Sequence, residues 1–377
     1  MGLRNSDQKC LQVGPPGEHC GQYSMRLFMV PETTWSKPNH FGAIDRSEEL
    51  CIINYKIQSQ NLTMSEGWGM KISKFGGLIA AASKKAALPM LQVGTIPIIK
   101  RIVISFQQAG IFPIVVITGV DEEEVKYQLS NYGVIFISNE QPEHPQLLDS
   151  VKIGLQYLKG KCDRIAFAPV NVPMFTPDTL IRLKNMTGEI ITPSYHGCGG
   201  HPVMLSDRVI PQILAYDGGD GLRGAIRSLG AKRVWFPVED KGILTSVHNQ
   251  EQLQARLAEH NNAILHPVIH MSIERENAFF NARLKLLLFL ISDTHNMRKA
   301  CGAMSLSYGK AWDMINQLEI ELGYSVVERR QGGKHGGNTV LTDRGTEFLL
   351  TYQQFEEEIF HFTQSRFQEA FITTKIL

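Results

Sequence analysis

Hydrophobic spacing changes along this chain, and the changes divide it. Between residues 71 and 263, short apolar runs alternate with stretches of helical period. Residues 76–82, 113–119, 134–137, 164–170 and 189–193 are expected to be buried strands. Residues 98–109, 121–129, 147–158 and 177–183 are expected to be helices. Strands alternating with helices build a mostly parallel sheet with right-handed crossovers, so the fold class expected here is α/β, Rossmann-like. Ligands in such sheets bind beyond the carboxyl ends of the strands. That points to Ala82-Ser83-Lys84-Lys85, Thr118-Gly119, Asn139-Glu140 and Asn171-Val172-Pro173.

The pattern changes toward the carboxyl end. Ser307 stands before an amphipathic run in which Trp312, Ile315 and Leu318 recur, with Ala311, Met314 and Leu322 widening the apolar stripe. Its hydroxyl suits a helix N-cap. Tyr308, Lys310, Asp313, Asn316 and Gln317 occupy the opposite face. Residues 283–291 and 297–304 read as two earlier helices, with a tight turn at Ser305-Leu306-Ser307. After the Ser307 helix come two short strands joined by a loop carrying Gly332, Gly333, Gly336 and Gly337. Thr342 then opens a helix over residues 343–360. This is the plan of a winged helix-turn-helix, with the Ser307 helix as major-groove reader. Ser307, Tyr308, Lys310 and Asn316 are the expected helix contacts, and Arg329, Arg330, Lys334 and His335 the wing contacts to phosphate. An ordinary packing module with a mobile loop is the plainer alternative.

Five segments follow: an extension poor in periodic apolar positions (1–69), an α/β domain (70–263), a joint with strand-like alternation (264–280), the winged domain (281–360) and a helical tail (361–377). The extension carries six Lys/Arg and seven Asp/Glu among many turn formers, so it is expected to be poorly ordered. Met70 stands just before the domain pattern and is an alternative start.

Net charge is +1, so any nucleic-acid contact must come from a local patch rather than a global field. Residues 283–344 supply one, with nine Lys/Arg against six Asp/Glu. The six cysteines are scattered without a C-x-x-C pair, which argues against a zinc site or disulfide scaffold. No apolar run reaches the ~18 residues a membrane span requires. A cytoplasmic protein with no membrane partner is the expectation.

Two resemblances sharpen these readings. The α/β segment resembles the nucleotidyltransferases of molybdenum-cofactor maturation. Leu78-Ile-Ala-Ala-Ala with Leu88-Pro-Met-Leu-Gln-Val-Gly, Asp149-Ser150-Val-Lys-Ile-Gly-Leu, Ala168-Pro-Val-Asn171-Val-Pro, Gly200-His201-Pro202 and Gly219-Asp220-Gly-Leu-Arg223-Gly carry the likeness. Gly242-Ile-Leu-Thr-Ser-Val-His-Asn stands where the family has its closing strand. The second resemblance is to molybdate-responsive repressors and, more loosely, LysR-type regulators. It lies in Ser307-Tyr-Gly-Lys-Ala-Trp, Leu322-Gly-Tyr, Val327-Glu-Arg-Arg-Gln-Gly-Gly and Leu341-Thr-Asp-Arg-Gly.

The first resemblance implies a ligand set: Ser83, Lys84 and Lys85 near phosphate, Asp149 and Ser150 at the central helix, and Asn171, His201, Asp220 and Arg223 around the substrate. It also implies Mg²⁺, but only if the domain is active. Here the sequence departs from the pattern. The glycine expected after the first strand is Ala82, the first metal position holds the neutral Asn171, and Thr245-Ser246-Val247-His248-Asn249 lacks the second aspartate. Mg²⁺ prefers anionic oxygens, so no metal is assigned. The function expected is a DNA-binding transcriptional regulator whose nucleotidyltransferase-like domain binds a nucleotide or a pterin-like, molybdenum-cofactor-related ligand. The alternative is an active Mg²⁺-dependent nucleotidyltransferase with an appended DNA-binding domain. Double-stranded DNA and a second copy of the chain are the expected macromolecular partners, because operators read by such domains are commonly two-fold.

Overall fold

The computed structural model describes residues 73–82, 87–93, 96–139, 147–261, 267, 269, 271–330 and 338–373. The expectations for residues 1–69 and for Ser83, Lys84, Lys85, Lys334 and His335 lie outside them.

The first domain is built on one sheet. Its central strands are β1 (Ser73–Ala80), β4 (Ile114–Thr118), β5 (Ile135–Ser138) and β6 (Cys162–Pro169). A small hairpin, β2 (Gln92–Val93) and β3 (Ile96–Pro97), lies between β1 and β4 in sequence. β7 (Ile190–Tyr195), β8 (Cys198–Gly199), β9 (Val203–Ser206) and β10 (Arg233–Pro237) complete the set. The sheet order is β10-β7-β9-β6-β1-β4-β5, with β8 on β7. β6, β1, β4 and β5 run parallel, as does β10 with β7, while β9 is antiparallel to both β6 and β7.

Helices α1 (Ile98–Gln108), α2 (Glu122–Leu129), α3 (Leu147–Leu158), α4 (Pro177–Asn185), α5 (Ile210–Ala215), α6 (Gly221–Ser228) and α7 (Gln250–Asn261) accompany the strands. β4 is buried at every position, and apolar from Ile114 to Ile117, because both its faces are covered. The cover is close: a Cβ on Gly77 would stand 2.6 Å from the Phe106 ring of α1, and one on Gly154 of α3 would stand 2.1 Å from Leu78. Two glycines thus let a helix lie tightly on each side of β1.

One expectation is corrected. Residues 241–244 form a 3-10 turn, and the closing edge strand is β10, a few residues earlier. β10 reads Arg-Val-Trp-Phe-Pro and is only partly buried, so it lacks the continuous apolar signature of an interior strand.

Residues 264–266, 268 and 270 of the joint lie outside the described residues, and the rest holds a short hairpin. β11 (Ser272–Glu274) pairs antiparallel with β12 (Ala278–Asn281), and Asn281 caps the helix that follows through bonds from the Arg283 and Leu284 amides. The second domain then comprises α8 (Ala282–Thr294), α9 (Met297–Ala303), α10 (Tyr308–Leu322), β13 (Val327–Arg330), β14 (Asn338–Leu341) and α11 (Asp343–Phe367). Ser307 caps α10 and Thr342 caps α11, as their hydroxyls predict. α11 does not stop near residue 360; it runs on to Phe367 and ends in a π-turn.

α8 is buried from Leu284 through Ile291, including Lys285. A helix apolar all round must be covered all round, and the α/β domain supplies the missing cover. The rings of Phe289 and Phe112 meet edge to face at 5.1 Å, Lys285 lies 4.2 Å from the Phe112 centroid, and Lys161 pairs with Asp293 at 3.1 Å. Phe112, Gly133 and Lys161 sit in the loops entering β4, β5 and β6. The second domain therefore docks at the amino ends of the parallel strands, away from the ligand end. Among the described residues no helix is long and apolar enough to cross a membrane.

Candidate ligand cleft and nucleic-acid face

At the carboxyl ends of the strands the candidate residues separate into a hydrogen-bonded corner and an open recess. In the corner, Asn171 follows β6 and its amide donates to the Ser246 hydroxyl at 2.8 Å. Ser246 lies in turn 3.2 Å from His248 Nε2, and the Val247 amide donates to the Asn171 carbonyl. The amide nitrogen, a hydroxyl and an imidazole are therefore spent on one another. Nearby, buried Asn139 donates to Ser150 at 3.2 Å, and Ser150 is fully enclosed. Ser150 thus braces the floor between β5 and α3 and does not face a ligand, while Asp149 is exposed on the first turn of α3. Asp121 receives the Ala87 amide on both oxygens, at 3.0 and 2.9 Å, which ties down the chain after β1.

Mg²⁺, the ion the family likeness implies, does not fit this donor set. Asn171, Ser246 and His248 offer no anionic oxygen, and Mg²⁺ is ordinarily held through one or two carboxylates. Among the described residues no group of three or more His, Cys, Asp or Glu is arranged to hold a metal.

The recess is different. It encloses about 580 Å³ and brings together three of the residues singled out in the sequence, His201, Asp220 and Arg223, with Thr192, Arg233 and Trp235. Asp220 and Gly221, the latter at φ 58°, form the turn that launches α6 and carries Arg223 to the rim. Asp220 pairs with Arg227 at 3.0 Å, not with Arg223, the pairing that a three-residue spacing favours. On β10, Arg233 and Trp235 are two residues apart and share a face. The Arg233 guanidinium stacks 3.8 Å from the Trp235 ring centroid and donates to Thr192 at 3.0 Å. Burial lowers the Arg233 pKa, and the charge of Arg223 lowers it further. Two guanidinium groups in one concave wall give the recess a positive potential. His201, edge-on to Phe167 at 5.5 Å, is driven down to a pKa of about 4, first by burial and then by Arg233, against the opposing pull of the Phe167 carbonyl. It is a neutral imidazole at physiological pH.

Arg233, Trp235 and Thr192 were not among the residues singled out from the sequence. The Arg-x-Trp alternation of an edge strand was the available signal.

On the second domain, Tyr308, Lys310 and Asn316 all lie on the exposed side of α10, opposite buried Ala311, Ile315 and Leu318. Ser307 is also exposed, but its hydroxyl is engaged as the cap. Arg329 is exposed on β13 with its guanidinium 3.6 Å from the Trp312 centroid, which fixes the wing strand against α10. The backbone of Arg330 pairs with Asn338 in the two-stranded wing.

This architecture, a mixed α/β sheet with an arginine-lined recess joined to a helix-turn-helix with a β-wing, defines a two-part protein: a nucleotidyltransferase-like domain and a DNA-binding-type domain. The comparisons agree with both parts. Residues 76–234 match the family model of the MobA-like NTP transferase domain. The C-terminal region is similar to the molybdenum-pterin-binding protein MopB of Rhodobacter capsulatus, at 34% identity over 84 residues, 22% of this chain and 31% of the relative. It is also similar to the DNA-binding transcriptional dual regulator ModE of Escherichia coli K12, at 32% identity over 78 residues, 21% of this chain and 30% of the relative. The chain thus spans about a third of the length of the curated relatives it matches. Among solved structures, Rv0371c of Mycobacterium tuberculosis H37Rv aligns with 50% of this chain and 99% of its own at 18% identity and a TM-score of 0.44. A nucleotidyl transferase from Methanothermobacter aligns with 51% of this chain and 99% of its own at 18% identity and a TM-score of 0.43.

Proposed function

We propose that this protein is a DNA-binding transcriptional regulator whose α/β domain holds a nucleotide or a molybdenum-cofactor-related anion rather than transferring a nucleotidyl group. The observation that carries the proposal is a corner without carboxylates beside an open recess. Asn171, Ser246 and His248 bond to one another where the resemblance implies a metal, while Arg223 and Arg233 line space enough for a small molecule. The exposed Tyr308, Lys310 and Asn316 on α10, with Arg329 on the wing, supply groove and phosphate contacts. The regulators named among the relatives support the same reading. The chain works as a homodimer, because a two-fold operator requires paired reading heads.

The test is calorimetry of the full chain with CTP, GTP and ATP, with and without Mg²⁺, monitoring pyrophosphate. Binding that ignores Mg²⁺ and releases no pyrophosphate is expected; Mg²⁺-dependent binding with pyrophosphate release overturns the reading. For the DNA half, Arg329→Ala with Lys334→Ala is expected to lower affinity and to flatten the salt dependence by about one unit of slope per lost phosphate contact. An unchanged slope removes the wing from the interface.

A further inference from the structure

A row of alternating cations and rings crosses the surface of the winged half. It starts at Arg298 on α9, whose guanidinium lies 5.8 Å from the Tyr308 ring centroid. Tyr308 meets Trp312 edge to face, with centroids 6.2 Å apart. Trp312 in turn carries the Arg329 guanidinium 3.6 Å from its own centroid. We propose that Tyr308 and Trp312 are positioning residues that hold Arg298 and Arg329 at a set separation, as two grips on the phosphates of one duplex. This assignment rests on the DNA-binding reading and extends its contacts to α9.

Spacing builds the row. Tyr308 and Trp312 are four residues apart on α10, so their rings stand on one side of the helix, one turn from each other. α9 reaches the first ring and wing strand β13 the second. Three separate elements are thereby joined side chain to side chain.

Charge gives the row a purpose. Lys285 and Arg366 in the same half each have a carboxylate partner, Glu356 and Glu369. Arg298 and Arg329 are exposed and have none among the described residues. Stacking uses only the flat face of a guanidinium. Its N–H donors lie in the plane and stay open to an anion, and their fork matches phosphate oxygens. An arginine already laid on a ring has also lost part of the rotamer freedom that binding would otherwise take from it.

The indole itself points the same way. Trp312 Nε1 is enclosed and has no acceptor among the described residues, so the side chain contributes its face and not its donor.

The experiment is fluorescence anisotropy of the full chain with a labelled duplex of random sequence, repeated over a range of salt. Each phosphate contact releases counterions and shows in the slope of log affinity against log salt. Arg298→Gln and Arg329→Gln are each expected to lower that slope by about one. Tyr308→Leu and Trp312→Leu remove no charge, yet each is expected to lower it by up to about one and to weaken binding about threefold, the scale of one exposed cation–π contact. Tyr308→Phe and Trp312→Phe keep a ring and are expected to keep the wild-type slope, whatever the lost Tyr308 hydroxyl does to affinity. A ring that only packs, or only touches a base, leaves the slope alone. Melting temperatures identify any variant that fails to fold, and half-exposed Tyr308 carries the test if Trp312→Leu is one.

Leucine variants with the wild-type slope, phenylalanine variants as low as the leucine ones, or an Arg298→Gln slope equal to wild type each overturn the proposal and leave DNA binding standing. A wild-type chain that binds no duplex sinks the DNA-binding reading and this proposal together.

Discussion

The hydrogen-bonded corner and the arginine recess lie at the same end of one sheet, yet they handle polar groups in opposite ways. In the corner, Asn171, Ser246 and His248 bond to each other and present no carboxylate to a cation. In the recess, Arg223 stands near enough to help lower the pKa of half-buried Arg233, and Asp220 is turned to Arg227. Groups that satisfy one another stabilise the fold. Groups held apart from their own counter-ions wait for a ligand. A corner without carboxylates and a recess with two guanidinium groups therefore stand side by side.

The strongest way to break that contrast is to remove the cations. Arg223→Ala/Arg233→Ala is expected to weaken nucleotide binding at least about a hundredfold, since each charge-assisted hydrogen bond is worth roughly 1.5–3 kcal/mol. The measurement is calorimetry with CTP, and unchanged affinity places the ligand elsewhere. Next, Asn171→Asp with His248→Asp reinstates carboxylates in the corner. Mg²⁺, which is expected to leave wild-type nucleotide affinity unaltered, should then tighten it by about tenfold, a modest gain because the loop before it is unchanged. If wild type already responds to Mg²⁺ as the variant does, the corner is not closed.

The smallest effect concerns His201. Its pKa falls from the ordinary 6.5 to about 4, so the folded state holds fewer protons than the unfolded one. The stability this confers is complete above pH 6.5 and drains away as pH falls toward 4. His201→Phe is expected to flatten the melting-temperature profile across that window. A profile as steep as that of wild type assigns the acid sensitivity to another group.

Much of this architecture was legible in residue spacing. The strands and helices of the α/β half announce themselves because interior strands are apolar throughout and their covering helices are periodic, as in β4 and α3. Ser307 and Thr342 mark two helix starts through the chemistry of their hydroxyls. His201, Asp220 and Arg223 were found by motif, and the fold does gather them. Arg233 and Trp235 escaped because an edge strand half open to solvent lacks a clear period, and their role arises only from pairing with β7 beside α6. Ser150 shows the converse: its place beside a conspicuous aspartate gave no hint that Asn139, eleven residues earlier, would enclose it.

One consequence of α8 reaches beyond either half. Its middle, enclosed from Leu284 to Ile291, has little native surface to show to water, so neither part of the protein can shed the other without undressing it. Heat should therefore find no seam to open first, and cleavage beside residue 281 should leave two fragments that cling or clump.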